Sequence, residues 1–346
     1  MMRESFNIVC LFGFSPHFRE IAIFLDDNKI TCIIVFSQRQ KKAIESLDLP
    51  KSTKLLCVKS LSDASFQEVR VRDKASIGIS FGSPFIFKQK DIDDFHGRLI
   101  NSHGAPLPEF KGGGGFSWRI LQRDKRGAVL MHLVTTQIDE GGCIFRKDFM
   151  FSDSERIPED LAKRQLAEES EHLVPWIKQI ICGQAKLEKL SSHCHSEDES
   201  SSYYPRLSST IHGWINWSLN IKDLENFVHA FSRPYPGAQT FIRGTKAHIM
   251  DLSIQKECYM HPFTYGLIIE KRTESILISC NGGCILIKNN DLSIESDDVK
   301  LSAGDRFFTP LSTLEKAMST RAFFKPDGLI LRDYSSCERT QSEQDG

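Results

Sequence analysis

Five short apolar runs, Phe6 to Phe12, Cys32 to Phe36, Leu55 to Val58, Ile77 to Phe81 and Leu99 to Ser102, recur through the first third of the chain, separated by amphipathic stretches. Runs of this length, rich in β-branched and aromatic residues, suit strands better than helices. Phe18 to Asp26, Gln40 to Leu47 and Asp91 to Phe95 carry the spacing of helical or helix-like crossovers between them. Strands joined by such crossovers return parallel, so this part is expected to be an α/β domain around a mainly parallel, Rossmann-like sheet. The first run ends in Phe12-Gly13-Phe14-Ser15 with no G-x-G-x-x-G, so a dinucleotide pyrophosphate has no evident seat and a nicotinamide enzyme is not indicated. Val129 to Val134 and Cys143 to Phe151 read as later strands, and Pro158 to Ile181 as a helical stretch that closes the domain.

Composition changes near Gln184, and Ser191 to Tyr204 is a run of serines, histidines and acids that cannot build a core. A helical period over Leu224 to Phe231 ends at Pro234-Tyr235-Pro236-Gly237-Ala238. Beyond it, Thr240 to Arg243, Ala247 to Ile254, Tyr265 to Lys271, Ser275 to Cys280, Gly283 to Lys288 and Asp305 to Phe308 read as strands parted by turns at Arg243-Gly244 and Asn281-Gly282-Gly283. The expected division is a catalytic domain over 1–184, a linker over 185–204, an antiparallel β-barrel-like domain over 205–333 and a frayed tail over 334–346. With 44 basic and 45 acidic residues the chain has no global field to recruit nucleic acid or an anionic membrane. No signal-peptide pattern or membrane span is evident, so a cytoplasmic protein is expected. The ten cysteines lack zinc-site or disulfide spacing; Cys10 and Cys57 read as small buried hydrophobes, and Cys280 and Cys284 as reduced thiols flanking a hairpin turn.

The chemistry concentrates in Asn101-Ser102-His103, at the end of the fifth run, and in Asp139 of Thr136-Gln137-Ile138-Asp139-Glu140-Gly141-Gly142. Open parallel sheets bind ligands beyond the carboxyl ends of their strands, which is where Asn101 and His103 stand. An imidazole titrating near neutrality can take a proton from an attacking amine, an amide can donate to a carbonyl oxygen that gains charge, and a carboxylate can orient the imidazole. By residue type alone, an Asn-x-His pair is as compatible with ordinary structure as with catalysis.

The stretch from about Leu99 to Cys143 resembles the formyltransferases that use 10-formyltetrahydrofolate. The resemblance rests on Asn101-Ser102-His103, Leu107-Pro108, Lys111-Gly112-Gly113-Gly114-Gly115, Phe116-Ser117-Trp118, the strand from Gly127 to His132, and Asp139-Glu140-Gly141. It continues in Tyr204-Pro205-Arg206-Leu207-Ser208, Ile215-Asn216-Trp217 and Val228-His229-Ala230-Phe231, which are similar to the second domain of methionyl-tRNA and aminosugar formyltransferases. The resemblance implies an OB-like second domain, Asn101, His103 and Asp139 as the catalytic trio, and 10-formyltetrahydrofolate as co-substrate with no metal. It also implies a folate pocket at Phe81, Gly82, Ser83, Pro84 and Phe85 and at Thr135, Thr136, Gln137 and Ile138. The acceptor expected first is a nucleotide-linked amino sugar, as in lipopolysaccharide biosynthesis. The loop Pro108-Glu109-Phe110-Lys111-Gly112 departs from the Arg-Gly-x-x-Pro form of the transfer-RNA enzymes, and there is no basic excess to grip a phosphate backbone. Methionyl-tRNA is the alternative; a folate-binding or peptide-synthetase-associated formylation module is the third, and the intact trio argues against a chain that has lost turnover. A homodimer is left open.

Other residues carry weaker signals. Gly112 and Gly113 open a four-glycine run that can cradle a phosphate or simply allow a turn, and Trp118 can stack on a substrate or pack. His132 stands on the strand leading to Asp139, as support or as packing. Lys111, Arg119, Arg123, Lys125 and Arg126 form a local basic cluster that can meet an anionic acceptor or remain solvated charge. His193-Cys194-His195 has metal-capable atoms but no partners at useful spacing.

Overall fold

The computed structural model describes residues 6–69, 75–190 and 201–335. Strands β1 (Ile8–Gly13), β2 (Thr31–Phe36), β3 (Lys54–Cys57), β4 (Ser76–Phe81), β5 (Leu99–His103), β6 (Lys111–Gly112), β7 (Arg126–Leu133) and β8 (Cys143–Met150) occupy the N-terminal part. Seven of them form one sheet in the order β3-β2-β1-β4-β5-β7-β8. The first five are parallel neighbours, and β7 and β8 add on antiparallel. Every residue of β4, and nearly every residue of β1 and β2, is buried, as continuous apolar runs demand of strands covered on both faces. Helices α1 (Phe18–Asp27), α2 (Lys41–Glu45), α3 (Ala64–Val69), α4 (Gln89–Asp94) and α5 (Gly115–Gln122) lie between strands, and α6 (Pro158–Glu168) and α7 (Val174–Ile181) follow β8. The expected closing helix is two helices joined by a π-turn at Glu169–Leu173. Pro175 has no N–H to donate to the preceding turn, so a regular helix cannot run through it.

The second part holds β9 (Tyr203–Tyr204), α8 (Ser209–His212), α9 (Ile221–Ala230), β10 (Ala238–Ile242), β11 (Thr245–Ile249), β12 (Ser253–Glu257), β13 (Ile268–Lys271), β14 (Ser275–Cys280), β15 (Gly283–Lys288), β16 (Leu292–Ile294) and β17 (Phe307–Phe308). Helix α9 starts at Asn220, whose side chain accepts from the amides of Lys222 and Asp223. The strands make two four-stranded antiparallel sheets, β16-β11-β10-β17 and β12-β15-β14-β13, bridged at Leu267 and Arg306. Their shared core includes Ile215, Trp217, Leu224, Ile249, Ile278 and Ile285, and it extends to Ile120, Phe151 and Leu161 of the first part.

Several features depart from the sequence reading. Ala185 and Leu187 pack on the first core and the Leu190 amide donates to the Cys143 carbonyl, so the chain after Gln184 is held to the domain. Strand β9 pairs with β6, whereas 191–200, including His193, Cys194 and His195, lie outside the described residues. Cys57 is exposed, because β3 is the outermost strand of its sheet, whereas Cys280 and Cys284 are free thiols in agreement with that reading. Before the expected tail stand α10 (Leu311–Ser319) and a hairpin of β18 (Thr320–Lys325) and β19 (Gly328–Asp333). The hairpin reaches back to the first part, where an Arg39 guanidinium nitrogen donates to the Lys325 carbonyl at 3.2 Å. No helix among the described residues is long and apolar enough to cross a membrane.

Candidate active site

A strand alternates its side chains between faces, so Asn101 and His103, two apart on β5, point the same way. The antiparallel partner β7 sets His132 directly opposite Asn101, and a register shift between Met131 and His132 marks this point on the β7–β8 ladder. Bulges next to ligand sites commonly re-aim a side chain in this way. The loop after β7 brings in Asp139 with a backbone φ of +55°, a left-handed conformation that Asp tolerates better than most residues.

The four side chains meet. His103 Nδ1 lies 3.6 Å from Asp139 Oδ2, His132 Nε2 lies 3.5 Å from Asp139 Oδ1, and Asn101 Nδ2 is 3.1 Å from His132 Nε2. Carbonyl oxygens only accept hydrogen bonds, and this assigns the tautomers. His103 Nε2 donates to the Phe110 carbonyl at 2.7 Å, leaving the Nδ1 lone pair beside Asp139. His132 Nδ1 donates to the Leu133 carbonyl at 2.9 Å, leaving Nε2 to accept from the Asn101 amide. The Gly112 amide donates to Asp139 Oδ2 at 2.8 Å. Burial pushes the Asp139 carboxyl up, but His103, His132 and the Gly112 amide outweigh it and hold the pKa at about 2. His103 moves below its ordinary value: burial dominates, Asp139 opposes it, and His132 adds to it. The result is an ionised carboxylate against a neutral imidazole at neutral pH.

These residues form the inner end of a cleft of about 500 Å³. Gly82, Ser83, Pro84, Phe85, Thr135, Thr136, Gln137 and Ile138, the positions at which a folate pocket is implied by the resemblance, line it together with Ile86, Phe87 and Val134. Ile86 is 68% exposed and Ile138 49%, which leaves apolar surface open at the wall where a flat heterocycle is expected. Phe81 is not a lining residue; it is buried edge-on against Phe18, because the strand alternation turns it into the core.

Of the proposed substrate contacts, Gly112 and Gly113 line the cleft and Trp118 does not. Trp118 donates from Nε1 to the Pro205 carbonyl at 2.7 Å and lies against Tyr204, which also stacks on Phe110. The glycine amides do not make a phosphate cradle, since Gly112 donates to Asp139 and Gly113 to the Tyr204 carbonyl. Gly112 has φ +94°, and a Cβ there would fall 2.4 Å from the Tyr204 carbonyl oxygen. The basic cluster is turned to structural use. Lys111 pairs with Glu140, Arg123 with Asp223, Lys125 with Asp153, and Arg126 with Asp124 and Glu109. Arg119 is fully buried, donating to the carbonyls of Gly115, Arg126 and Gly104 between the rings of Phe116 and Phe151.

The cleft also has residues that the sequence reading did not single out, Ser37, Arg39 and Gln40 after β2, Tyr203 at the end of the expected linker, and Ala322, Phe323 and Lys325 of the hairpin, and it takes in Arg206 from the Tyr204 to Ser208 stretch that carries the resemblance. A signal for the last group was present, because Pro326-Asp327-Gly328 between two apolar runs is a turn pattern.

Residues 208–296 match the family model of the formyl transferase C-terminal domain. A methionyl-tRNA formyltransferase from Acetivibrio thermocellus is 26% identical over 203 residues, which is 59% of this chain and 62% of that protein. The chain thus matches about three fifths of that relative's length, and 58% of the length of a second, from Ruminiclostridium cellulolyticum. Among solved structures, the fold is similar to the N-formyltransferase of Helicobacter canadensis in complex with folinic acid and dTDP-3-aminofucose (TM-score 0.57, 18% identity, 81% of this chain and 98% of that one). It is also similar to a sugar 3N-formyl transferase solved in the presence of dTDP and 5-N-formyl-THF (TM-score 0.58, 19% identity, 82% and 97%). By sequence the chain is thus similar to formyltransferases over part of its length, and by fold it is similar to these two solved N-formyltransferases.

Proposed function

We propose that the chain is an N-formyltransferase that carries a formyl group from 10-formyltetrahydrofolate to the primary amine of a nucleotide-linked amino sugar. The observation that carries this reading is the meeting of Asn101, His103 and Asp139 at the inner end of one cleft, with His132 accepting from Asn101 beside Asp139. The open apolar wall of Ile86 and Ile138 fits a pterin ring, and the polar loops beside it, Gly82 to Ser83 and Thr135 to Gln137, offer donors and acceptors to its edge. Folate supplies the activated formyl carbon. His103, neutral and with its Nδ1 lone pair available, takes the proton of the incoming amine. Asp139 then faces the imidazolium and stabilises it, while the Phe110 carbonyl fixes the ring through Nε2. Asn101 directs its amide to the carbonyl oxygen as negative charge develops there; when the tetrahedral adduct collapses, the bond from the formyl carbon to the folate nitrogen breaks and the proton held by His103 passes to that leaving nitrogen.

The amino-sugar acceptor is supported by two solved neighbours whose complexes hold dTDP or a dTDP-amino sugar. Methionyl-tRNA is favoured by the sequence relatives. Release of tetrahydrofolate from 10-formyltetrahydrofolate, followed with a panel of nucleotide 3- and 4-amino sugars and with charged initiator tRNA, separates the two. Turnover with the sugars and its loss in Asn101→Ala and His103→Ala are expected; turnover with tRNA alone overturns the acceptor, and unimpaired variants overturn the mechanism.

A further inference from the structure

We propose that Arg119 is a positioning residue for formyl transfer, its buried guanidinium fixing the backbone that carries His103. The inference rests on the acyl-transfer reading above and names a further residue that serves it. Arg119 stands on α5, is fully buried and does not line the cleft. Each of its three nitrogens donates at 3.0 Å to a backbone carbonyl: Nε to Gly115 of α5, Nη1 to Arg126 of β7, and Nη2 to Gly104, the residue that follows His103 at the end of β5. One planar fork thus ties a helix to the two strands that carry Asn101, His103 and His132. Gly104 is closed in by Gln165 as well: a Cβ on Gly104 would fall 3.3 Å from Gln165 Nε2, which donates to the Ala128 carbonyl of β7. The loop that starts at Gly104 ends at Phe110, whose carbonyl accepts from His103 Nε2, and Arg146 Nη1 holds its middle through the Leu107 carbonyl at 2.7 Å. The Arg119 contact is therefore the root of the loop that aims the imidazole.

Burying a guanidinium is costly unless its donors are used, and here carbonyls and the faces of Phe116 and Phe151 stand in for a counter-ion. Among the described residues no carboxylate pairs with Arg119; Asp124, bound by Arg126, acts on it only through space. Burial pulls Arg119 down to about 10, so it stays charged at neutral pH. A cation at this place also acts on the base. Burial lowers the His103 pKa most; of the groups facing the ring, Asp139 from the loop after β7 and the Phe110 carbonyl raise it, and His132 from β7 and Arg119 from α5 lower it. Arg119 thereby helps to hold the imidazole neutral, the form that accepts a proton.

Two variants of the full chain separate this from a role in stability alone. Arg119→Gln removes the charge, and Arg119→Lys keeps it but lacks the planar fork. The His103 ring protons are titrated by NMR in both and in wild type, alongside thermal unfolding, tetrahydrofolate affinity and kcat. The His103 pKa is expected to rise in Arg119→Gln and to stay at the wild-type value in Arg119→Lys. In both, kcat should fall by about tenfold to a hundredfold, the cost of a misplaced base, with folate affinity unchanged. An unmoved His103 titration in Arg119→Gln, wild-type kcat in either variant, or folate affinity lost in step with kcat overturns the proposal. Should Arg119→Gln not fold, Arg119→Lys decides: wild-type kcat overturns positioning by the fork, and a fall in kcat with folate affinity held supports it. If wild type transfers formyl to no acceptor, the functional reading fails, and the His103 titrations still decide whether Arg119 acts on that ring.

Discussion

The two ends of the cleft are built on opposite principles. At the inner end, Asn101 and His103 share one strand, His132 lies across the ladder on the next strand of the sheet, and Asp139 follows in the loop after it, so all four fall within 39 residues of chain. At the mouth, Arg39, Arg206 and Lys325 are brought together from across nearly the whole chain. Sheet register and the loop after β7 bring neighbouring inner groups to within 3.6 Å of one another, the closeness that a positioned proton-transfer site needs. The mouth is held by single contacts between loops, a β-bridge and a hairpin, which suits binding better than chemistry. Variants at the inner end should therefore change kcat, and variants at the mouth should change KM.

The largest effect is expected from His103→Ala. Removal of a general base typically costs about 10²–10⁴ in rate, and folate affinity should stay close to wild type because the folate wall is untouched. A variant that keeps its kcat but loses folate binding would erase the distinction between the two ends. Asn101→Ala comes next, at about 10²–10³ in kcat, the cost of one lost oxyanion donor. Asp139→Asn tests the charge coupling by its sign. Burial and His132 lower the His103 pKa while Asp139 opposes them, so neutralising the carboxylate should lower it further. The base is active when neutral, so the acid limb of kcat/KM should move to lower pH; a move to higher pH contradicts the assignment. The same carboxylate, held at about 2 and so below its ordinary value near 3.8, contributes stability that is present above pH 4 and lost as pH falls towards 2. An acid-unfolding comparison should find this component in wild type and not in Asp139→Asn.

The inner end was largely legible in the sequence because its information is local. Two-residue periodicity places Asn101 and His103 on one face of β5, and the five apolar runs place that strand in the parallel sheet. His132 stayed undecided because its role depends on which residue of β7 faces Asn101, and register between strands joined by a long excursion is not written in either strand. Arg119 misled by type. Three backbone carbonyls and two aromatic rings make full burial of a guanidinium tolerable, and none of that cage is visible from a basic residue in a basic stretch. The mouth escaped for the opposite reason. Each of its cations is an ordinary surface residue in its own segment, and only the return of the hairpin makes them neighbours.

Smaller effects probe how the two ends are joined. Lys325→Ala should raise a substrate KM about tenfold with kcat unchanged, measured as full saturation curves in folate and in the acceptor. A fall in kcat at unchanged KM would mean that the hairpin acts on the chemistry. Trp118→Phe should have the smallest effect of the set. The indole Nε1 donates to the carbonyl of Pro205, the residue before Arg206, and the ring leans on Tyr204. Phenylalanine keeps most of the packing and deletes the donor, so the loss is one hydrogen bond, about 1 kcal/mol of stability. Because the bond anchors the segment that carries Arg206 to helix α5, a substrate KM should rise by about twofold to threefold while kcat stays at the wild-type value. Thermal unfolding and saturation curves measure both. A drop in kcat of more than about tenfold would show Trp118 acting on the substrate itself, and the separation of a catalytic inner end from a binding mouth would then fail at the helix that links them.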